Sequence, residues 1–222
     1  MKSQQSGFTL VEIAIVLVII GLLLGGILKG QELINSAKVK SLANDFRTIP
    51  TYIYAYQDKF KSLPGDDGNI AGHLGAAASQ ATTPAGRQGN GVIEGNWWSG
   101  TATDESFLFW QHTRLSNLAP GPTNTADANY WPTNAMGGMI GINSAQAATA
   151  QITGMTGTYQ ICSTGILGKF VKQLDIQMDD GDTATGSLRA TANVSSTTFA
   201  QSAAVATATI DDATTYTVCQ TF

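Results

Sequence analysis

Charge, cysteine and histidine are all scarce in this chain, and each shortage closes off a class of function. The 222 residues carry 12 Lys and Arg against 16 Asp and Glu, with charged residues at 13% of the whole. Beyond Lys61 only five basic residues remain (Arg87, Arg114, Lys169, Lys172 and Arg189) against twelve acidic ones, so that part stands near 5 − 12 = −7. Phosphate binding needs clustered Lys and Arg, so no general nucleic-acid binding is expected. The two histidines, His73 and His112, are isolated in sequence, and neither Cys162 nor Cys219 sits in a zinc-type spacing. There is no nucleophile elbow, no metal helix and no convincing pair of catalytic carboxylates, so no enzyme is expected. Gly89-Asn90-Gly91-x-x-x-Gly95 has the glycines of a phosphate loop but neither its lysine nor its strand-to-helix setting.

Near the N-terminus the chain is, by contrast, rich in apolar residues. From Phe8 to Leu28 the run is apolar, with Glu12 as its only charge, and a short polar leader, Met1 to Ser6, precedes it. As a helix this run spans on the order of 30 Å, about a bilayer core. A secretory signal peptide is cut after its apolar region. Here the small residue Gly7 precedes the run, so cleavage there removes the leader, with Lys2, and keeps the hydrophobic segment. A carboxylate inside hydrocarbon is costly without a cation. Cleavage after Gly7 would create one, the new amine of Phe8, in the same chain or on a neighbouring copy.

Gly7-Phe8-Thr9-Leu10-Val11-Glu12 followed by an apolar helix resembles the processing and assembly signal of type IV pilins and pseudopilins. The resemblance covers Gly7 to about Gly30. It implies cleavage after Gly7 by a prepilin peptidase, N-methylation of Phe8, pairing of Glu12 with the Phe8 amine of an adjacent subunit, and packing of the helices into a filament core. One departure is that many pilins have a proline late in this helix, where this chain has Gly25-Gly26 and Lys29. A plain signal anchor is the competing reading, and it leaves Glu12 unexplained.

Further along, Gly21-x-x-x-Gly25 and Gly26-x-x-x-Gly30 allow close helix approach in lipid. From Lys29 an amphipathic pattern (Leu33, Ile34, Ala37, Leu42, Phe46, Ile49, Ile53, Tyr56, Phe60) continues the helix, with Lys38, Lys40, Arg47 and Lys59 on the opposite face. Pro50 should kink or locally break it, and Leu63-Pro64-Gly65-Asp66 should end it. A Gly, Ala, Ser and Thr-rich loop then runs to about Thr103. Asp104 to Leu118 reads as a short helix with Asp104 as N-cap, followed by a second loop-rich stretch to about Gly154. Thr158 to Ser163, Ser187 to Val194, Ala203 to Ile210 and Thr214 to Gln220 read as strands, with a helix from Ile166 to Leu174.

The expected fold class is therefore α+β. A long N-terminal stem helix packs on a C-terminal antiparallel sheet with loop-rich insertions, as the pilin resemblance also implies. Four segments follow: leader 1–7, filament-core or membrane helix 8–30, amphipathic stem 31–63 and globular head 64–222. The implied setting is the bacterial inner membrane with the head outside the cytoplasm, then a pilus or periplasmic pseudopilus. A disulfide can persist there, and Cys162 and Cys219 lie in two expected strands; bridging them is worth about 4 kcal/mol of loop entropy.

No cofactor is required by this reading. Asp175, Asp179, Asp180 and Asp182 form the densest acidic cluster, on a loop that contains Gly181. Calcium favours such oxygen-rich loops, and some similar pseudopilins bind it near their C-terminus. The spacing is not that of an EF-hand, and a solvated turn is the favoured account of the cluster. The implied partners are other copies of the chain, other pilins or pseudopilins, the prepilin peptidase and the membrane. Alternatives are a pseudopilin driving protein export in a type II secretion system, or a minor-pilin adhesin using Trp97, Trp98, Tyr130 and Trp131.

Overall fold

Helix α1, Leu10–Phe60, begins within the N-terminal apolar run and is 51 residues long. The computed structural model describes residues 7, 9–146, 149–195 and 199–222. By backbone packing the chain divides into two units, Met1–Lys38 and Val39–Phe222. In the first, every described residue of the apolar run is exposed, from Leu10 through Leu28. In the second, α1 turns one face inward at Val39, Leu42, Ala43, Phe46, Ile49, Ile53 and Tyr56, steps of three and four residues that keep one stripe of a 3.6-residue helix in the core. The amphipathic pattern thus begins to be buried at Val39, one turn after Leu33 and Ile34, which stay exposed.

Pro50 does not end the helix: α1 remains helical on both sides of it. The missing amide costs roughly 3 kcal/mol in a helix interior. Ile49 and Ile53, at 4% and 0% exposure on either side, anchor both turns in the same core and offset that loss. Lys61, with φ of 56°, takes the left-handed conformation that terminates the helix, and its N–H still reaches the Gln57 carbonyl.

The remaining elements are α2 (Ile70–Leu74), α3 (Glu105–Leu115), β1 (Ile140–Ser144), β2 (Tyr159–Leu167), α4 (Gly168–Met178), β3 (Leu188–Ala192), a single 3-10 turn at Thr207–Thr209, and β4 (Thr215–Thr221). The strands form one antiparallel sheet in the order β1-β2-β4-β3. The α+β architecture expected from the sequence is present, a long N-terminal helix followed by a four-stranded antiparallel sheet.

Alternation along the strands gives the sheet two different faces. Ile140, Ile142, Ile161, Ile166, Leu188, Ala190, Tyr216 and Val218 share one face and join the core that includes the buried stripe of α1 and Phe170, Val171 and Leu174 of α4. The other face carries Gly141, Asn143, Gln160, Cys162, Thr217 and Cys219. It is covered rather than solvated: Trp97, Ala150, Ile152 and Met155 pack with the two cysteines. Gly141 is needed there, because a side chain on it would run into the backbone carbonyl of Trp97. The polar groups under this cover pair with one another. Gln160 Nε2 donates to Asn143 Oδ1 at 2.7 Å, Gln151 N–H to Gln160 Oε1 at 3.0 Å, and Trp97 Nε1 to Gln151 Oε1 at 2.8 Å.

Several expectations change. Strand β1 lies inside the stretch read as loop, and α2 inside the Gly-rich segment after α1. Ala203 to Ile210 alternates like a strand but contains only the 3-10 turn and single attachments, such as Val205 N–H to the Ala190 carbonyl. Ile166 and Leu167, expected in a helix, end β2 beyond a bulge between Ser163 and Ile166. Asp104 does stand at the start of α3, yet its carboxylate accepts a hydrogen bond from the Ser99 hydroxyl and caps no backbone amide.

Candidate assembly site

The N-terminal turn of α1 is built by Thr9 and Glu12. The Thr9 backbone N–H and hydroxyl both donate to Glu12 Oε2, at 2.8 and 2.7 Å, and the Glu12 N–H returns a bond to Thr9 Oγ1 at 3.3 Å. This is the reciprocal capping box, in which a Thr and a Glu three residues later satisfy each other's backbone amides. The signal for the box is the local T-x-x-E spacing of Thr9 and Glu12, in which the charge of Glu12 is the more conspicuous feature. Gly7 is exposed just ahead of this turn. Phe8, the residue expected to carry the new amine, lies outside the described residues.

Behind the box, α1 is apolar on all sides. Leu10, Val11, Ile13, Ile15, Val16 and Leu17 are between 48% and 89% exposed, and the exposure continues through Ile27, Leu28, Leu33 and Ile34. A side chain added at Gly21, Gly25, Gly26 or Gly30 would meet nothing within 4 Å. The helix is long and apolar enough to cross a membrane, and none of its most apolar window is buried within the chain. A helix that is hydrophobic all round needs a surrounding medium other than water, either lipid or other helices.

Residues 2–28 match the family model described as the prokaryotic N-terminal methylation motif. This is the type IV pilin and pseudopilin signal. No curated protein and no solved structure matches the chain. The methylation motif ends where the apolar run ends, and it contains Gly7, Phe8 and Glu12 in one stretch.

The other residues singled out in the sequence fall elsewhere. Cys162 and Cys219 face each other across β2 and β4 and form a disulfide, 57 residues apart in sequence. Trp97 and Tyr130 are 1% and 2% exposed and belong to the interior, while Trp98 and Trp131 are half-buried. Tyr130 stacks on Phe107, and the Arg114 guanidinium donates to its carbonyl at 2.6 Å. The four aromatics therefore do not form one exposed patch.

The acidic residues of the 175–182 stretch bond mainly to backbone and hydroxyl groups close by, and Asp175 Oδ2 is buried without a partner among the described residues. Asp175 Oδ1 accepts from Gly181 N–H at 2.6 Å and Asp179 Oδ2 from Leu188 N–H at 2.7 Å. Asp180 accepts from Asp182 N–H and the Thr185 hydroxyl, and Asp182 from Ala184 N–H. Burial pushes the Asp175 carboxyl up to about 6, against the Gly181 bond and with the neighbouring acids adding to the rise. Among the described residues, no three Asp, Glu, His or Cys side chains converge in a way that could hold a metal ion.

Leu63-Pro64-Gly65-Asp66, expected to end the stem helix, follows its last residue Phe60, and the structure buries it as a hub. The Asp66 carboxylate accepts from the backbone N–H groups of Gly89, Asn90 and Gly91. The glycine-rich loop that resembles a phosphate cradle is thus a nest filled by this chain's own carboxylate. Next to it, Asp67 accepts from the Tyr56 hydroxyl at 2.8 Å and sits 2.6 Å from His73 Nδ1. His112 is fully buried, taking the Gly65 N–H on Nδ1 and meeting the Ser79 carbonyl through Nε2. These contacts hold the long 66–105 loop to the end of α1 and to α3.

Proposed function

We propose that this protein is a structural subunit of a type IV filament, a pilin or pseudopilin that assembles after prepilin-peptidase cleavage between Gly7 and Phe8. The observation that carries the reading is the methylation motif at the head of a helix whose apolar surface no described residue of its own chain covers. Before assembly the membrane covers that surface; in a filament other copies of the helix do. Removing the leader takes away Lys2 and gives 11 − 16 = −5 for the mature chain.

In this reading the N-methylated Phe8 amine of one subunit pairs with Glu12 of a neighbour. The capping box supports the geometry. Both Thr9 bonds fall on Oε2, so the carboxylate is held in a fixed orientation in which Oε1 can meet a partner's amine. A cation brought there neutralises a carboxylate that neither lipid nor a packed helix bundle would tolerate alone. The disulfide across β2 and β4 fits a head on the oxidising side of the membrane.

The experiment is Glu12→Ala, with processing and sheared-filament yield measured in the same cells. Mature protein at wild-type levels with little filament is the expected result. Normal filament yield from the variant alone would overturn the pairing.

A further inference from the structure

Glu94 and Glu105 each end in a buried oxygen with nothing to bond to. Glu94 Oε1 takes the Arg87 Nε and, at 3.2 Å, the Asn90 amide, but Oε2 is buried without a partner. Glu105 Oε2 accepts the Glu94 backbone N–H at 2.9 Å, and Glu105 Oε1 is likewise buried without a partner. The Glu105 side chain has no exposure at all, and the bond from the Glu94 N–H sets its carboxyl beside Glu94, which is among the neighbours that raise its pKa. Two buried acceptors left over on residues joined by that bond call for a donor.

We propose that Glu94 and Glu105 share a single proton, so that the loop after α1 is locked to the start of α3 by a carboxylic acid–carboxylate bond that alkaline pH breaks. The surroundings favour a proton over a second negative charge. Asp66 lies on the same side, already holding the nest of Gly89, Asn90 and Gly91, and Asp104 precedes Glu105 in the chain. Among the described residues Arg87 is the cation bonded to the pair, and it engages Glu94. Lys61 and Tyr159 line the small groove at Asp66 on the α1 side. Burial is the main cause that holds the Glu105 carboxyl up at about 8, with Asp66 and Glu94 adding to it and the Glu94 N–H opposing it. Like charges at close range in a dry site cannot both ionise.

What the lock holds is substantial. Ser106 N–H bonds the Glu94 carbonyl at 3.0 Å, and Ile93, next in the chain, is core. The adjacent Gly65 approaches the Glu105 carbonyl so closely that a side chain there would collide with it. Loss of the proton therefore loosens the junction of α1, the 66–105 loop and α3 together.

The sign follows from linkage. The folded chain keeps this proton up to about pH 8, whereas the unfolded chain releases it near the ordinary glutamate value of 4.5. Stability from this group is full below that lower value and falls as pH rises towards 8. Glu105→Gln replaces the acid by a neutral amide donor of the same shape and removes the dependence. With the full-length chain in detergent micelles, the melting temperature of Glu105→Gln minus that of the wild type should rise with pH and reach about 5 °C or more by pH 9. A difference that is flat between pH 5 and 9 overturns the proposal. Infrared spectra at pH 7 give a second readout on protein that is folded: the wild type should show a protonated carboxylic acid that is lost in Glu105→Gln and persists at a shifted frequency in Glu94→Gln. No such band, or its displacement by added calcium, means that a cation or nothing occupies the contact, and either result refutes the shared proton.

Discussion

Thr9 and Glu12 hold each other across the first turn of α1, through two bonds to one carboxylate oxygen and one bond back to the hydroxyl. The same Glu12 thus serves its own helix and, in the proposed filament, a neighbour's amine. Thr9→Ser keeps the hydroxyl and should assemble like the wild type. Thr9→Ala removes the hydroxyl but not the charge, and its yield of sheared filament should fall between the wild type and Glu12→Ala. If Thr9→Ala assembles as poorly as Glu12→Ala, the orientation of the carboxylate rather than its charge governs assembly.

Replacing either cysteine removes the same cross-link. Cys162 and Cys219 are directly opposed on the two central strands of the sheet, both fully buried under Trp97, Ile152 and Met155. Cys162→Ser and Cys219→Ser should each cost about 2–5 kcal/mol, read as a lower denaturation midpoint, and reduction of the wild type should reproduce the loss. A double variant as stable as the wild type would contradict this.

Trp97 separates packing from display. Its ring covers the disulfide face of the sheet and its Nε1 bonds Gln151, so Trp97→Ala should destabilise the fold by about 3–5 kcal/mol. Trp131, half-buried at the edge of the Phe107 and Tyr130 stack, should cost clearly less on the same change. Chemical denaturation of the two variants side by side checks the order. Equal small losses would return Trp97 to the class of exposed contact residues.

The division between what could and could not be read from the sequence follows the range of the interactions involved. The apolar run, its single carboxylate and the three- and four-residue steps of Leu42, Phe46, Ile49 and Ile53 are local patterns, and they placed α1 and its buried face. The strands β2, β3 and β4 were legible by alternation. Strand β1 was not, because Gly141 and Asn143 break the pattern, and they are there for Trp97 and the Gln160 network 17 or more residues away. Ala203 to Ile210 alternates without becoming a strand, since only scattered bonds attach it to its neighbours. In the same way, the role of Asp66 beyond the helix end is not local, because Gly89, Asn90 and Gly91 come to it from 23 to 25 positions on. The T-x-x-E box was a local signal and was available throughout.

Acid should act through His112. Burial drives its pKa from 6.5 down to about 4, against the pull of the Ser79 carbonyl and Asp67. In the unfolded chain it protonates at its ordinary value, so its contribution is complete above pH 6.5 and is lost progressively as the pH falls to about 4. Its ring resonances in an NMR titration should hold the neutral position until the pH approaches 4, with Nδ1 unprotonated because it accepts the Gly65 N–H. A midpoint near 6.5 would contradict the buried placement.

The most direct test of the central claim is mass spectrometry of the N-terminal peptide from sheared surface filaments and from membranes of the same cells. The expected peptide starts at N-methylated Phe8. Its abundance in the sheared fraction indicates a fibre-forming pilin, and its confinement to membranes a pseudopilin or minor subunit. A peptide starting at uncleaved Met1 in both fractions would contradict processing at Gly7 and, with it, the filament-subunit function.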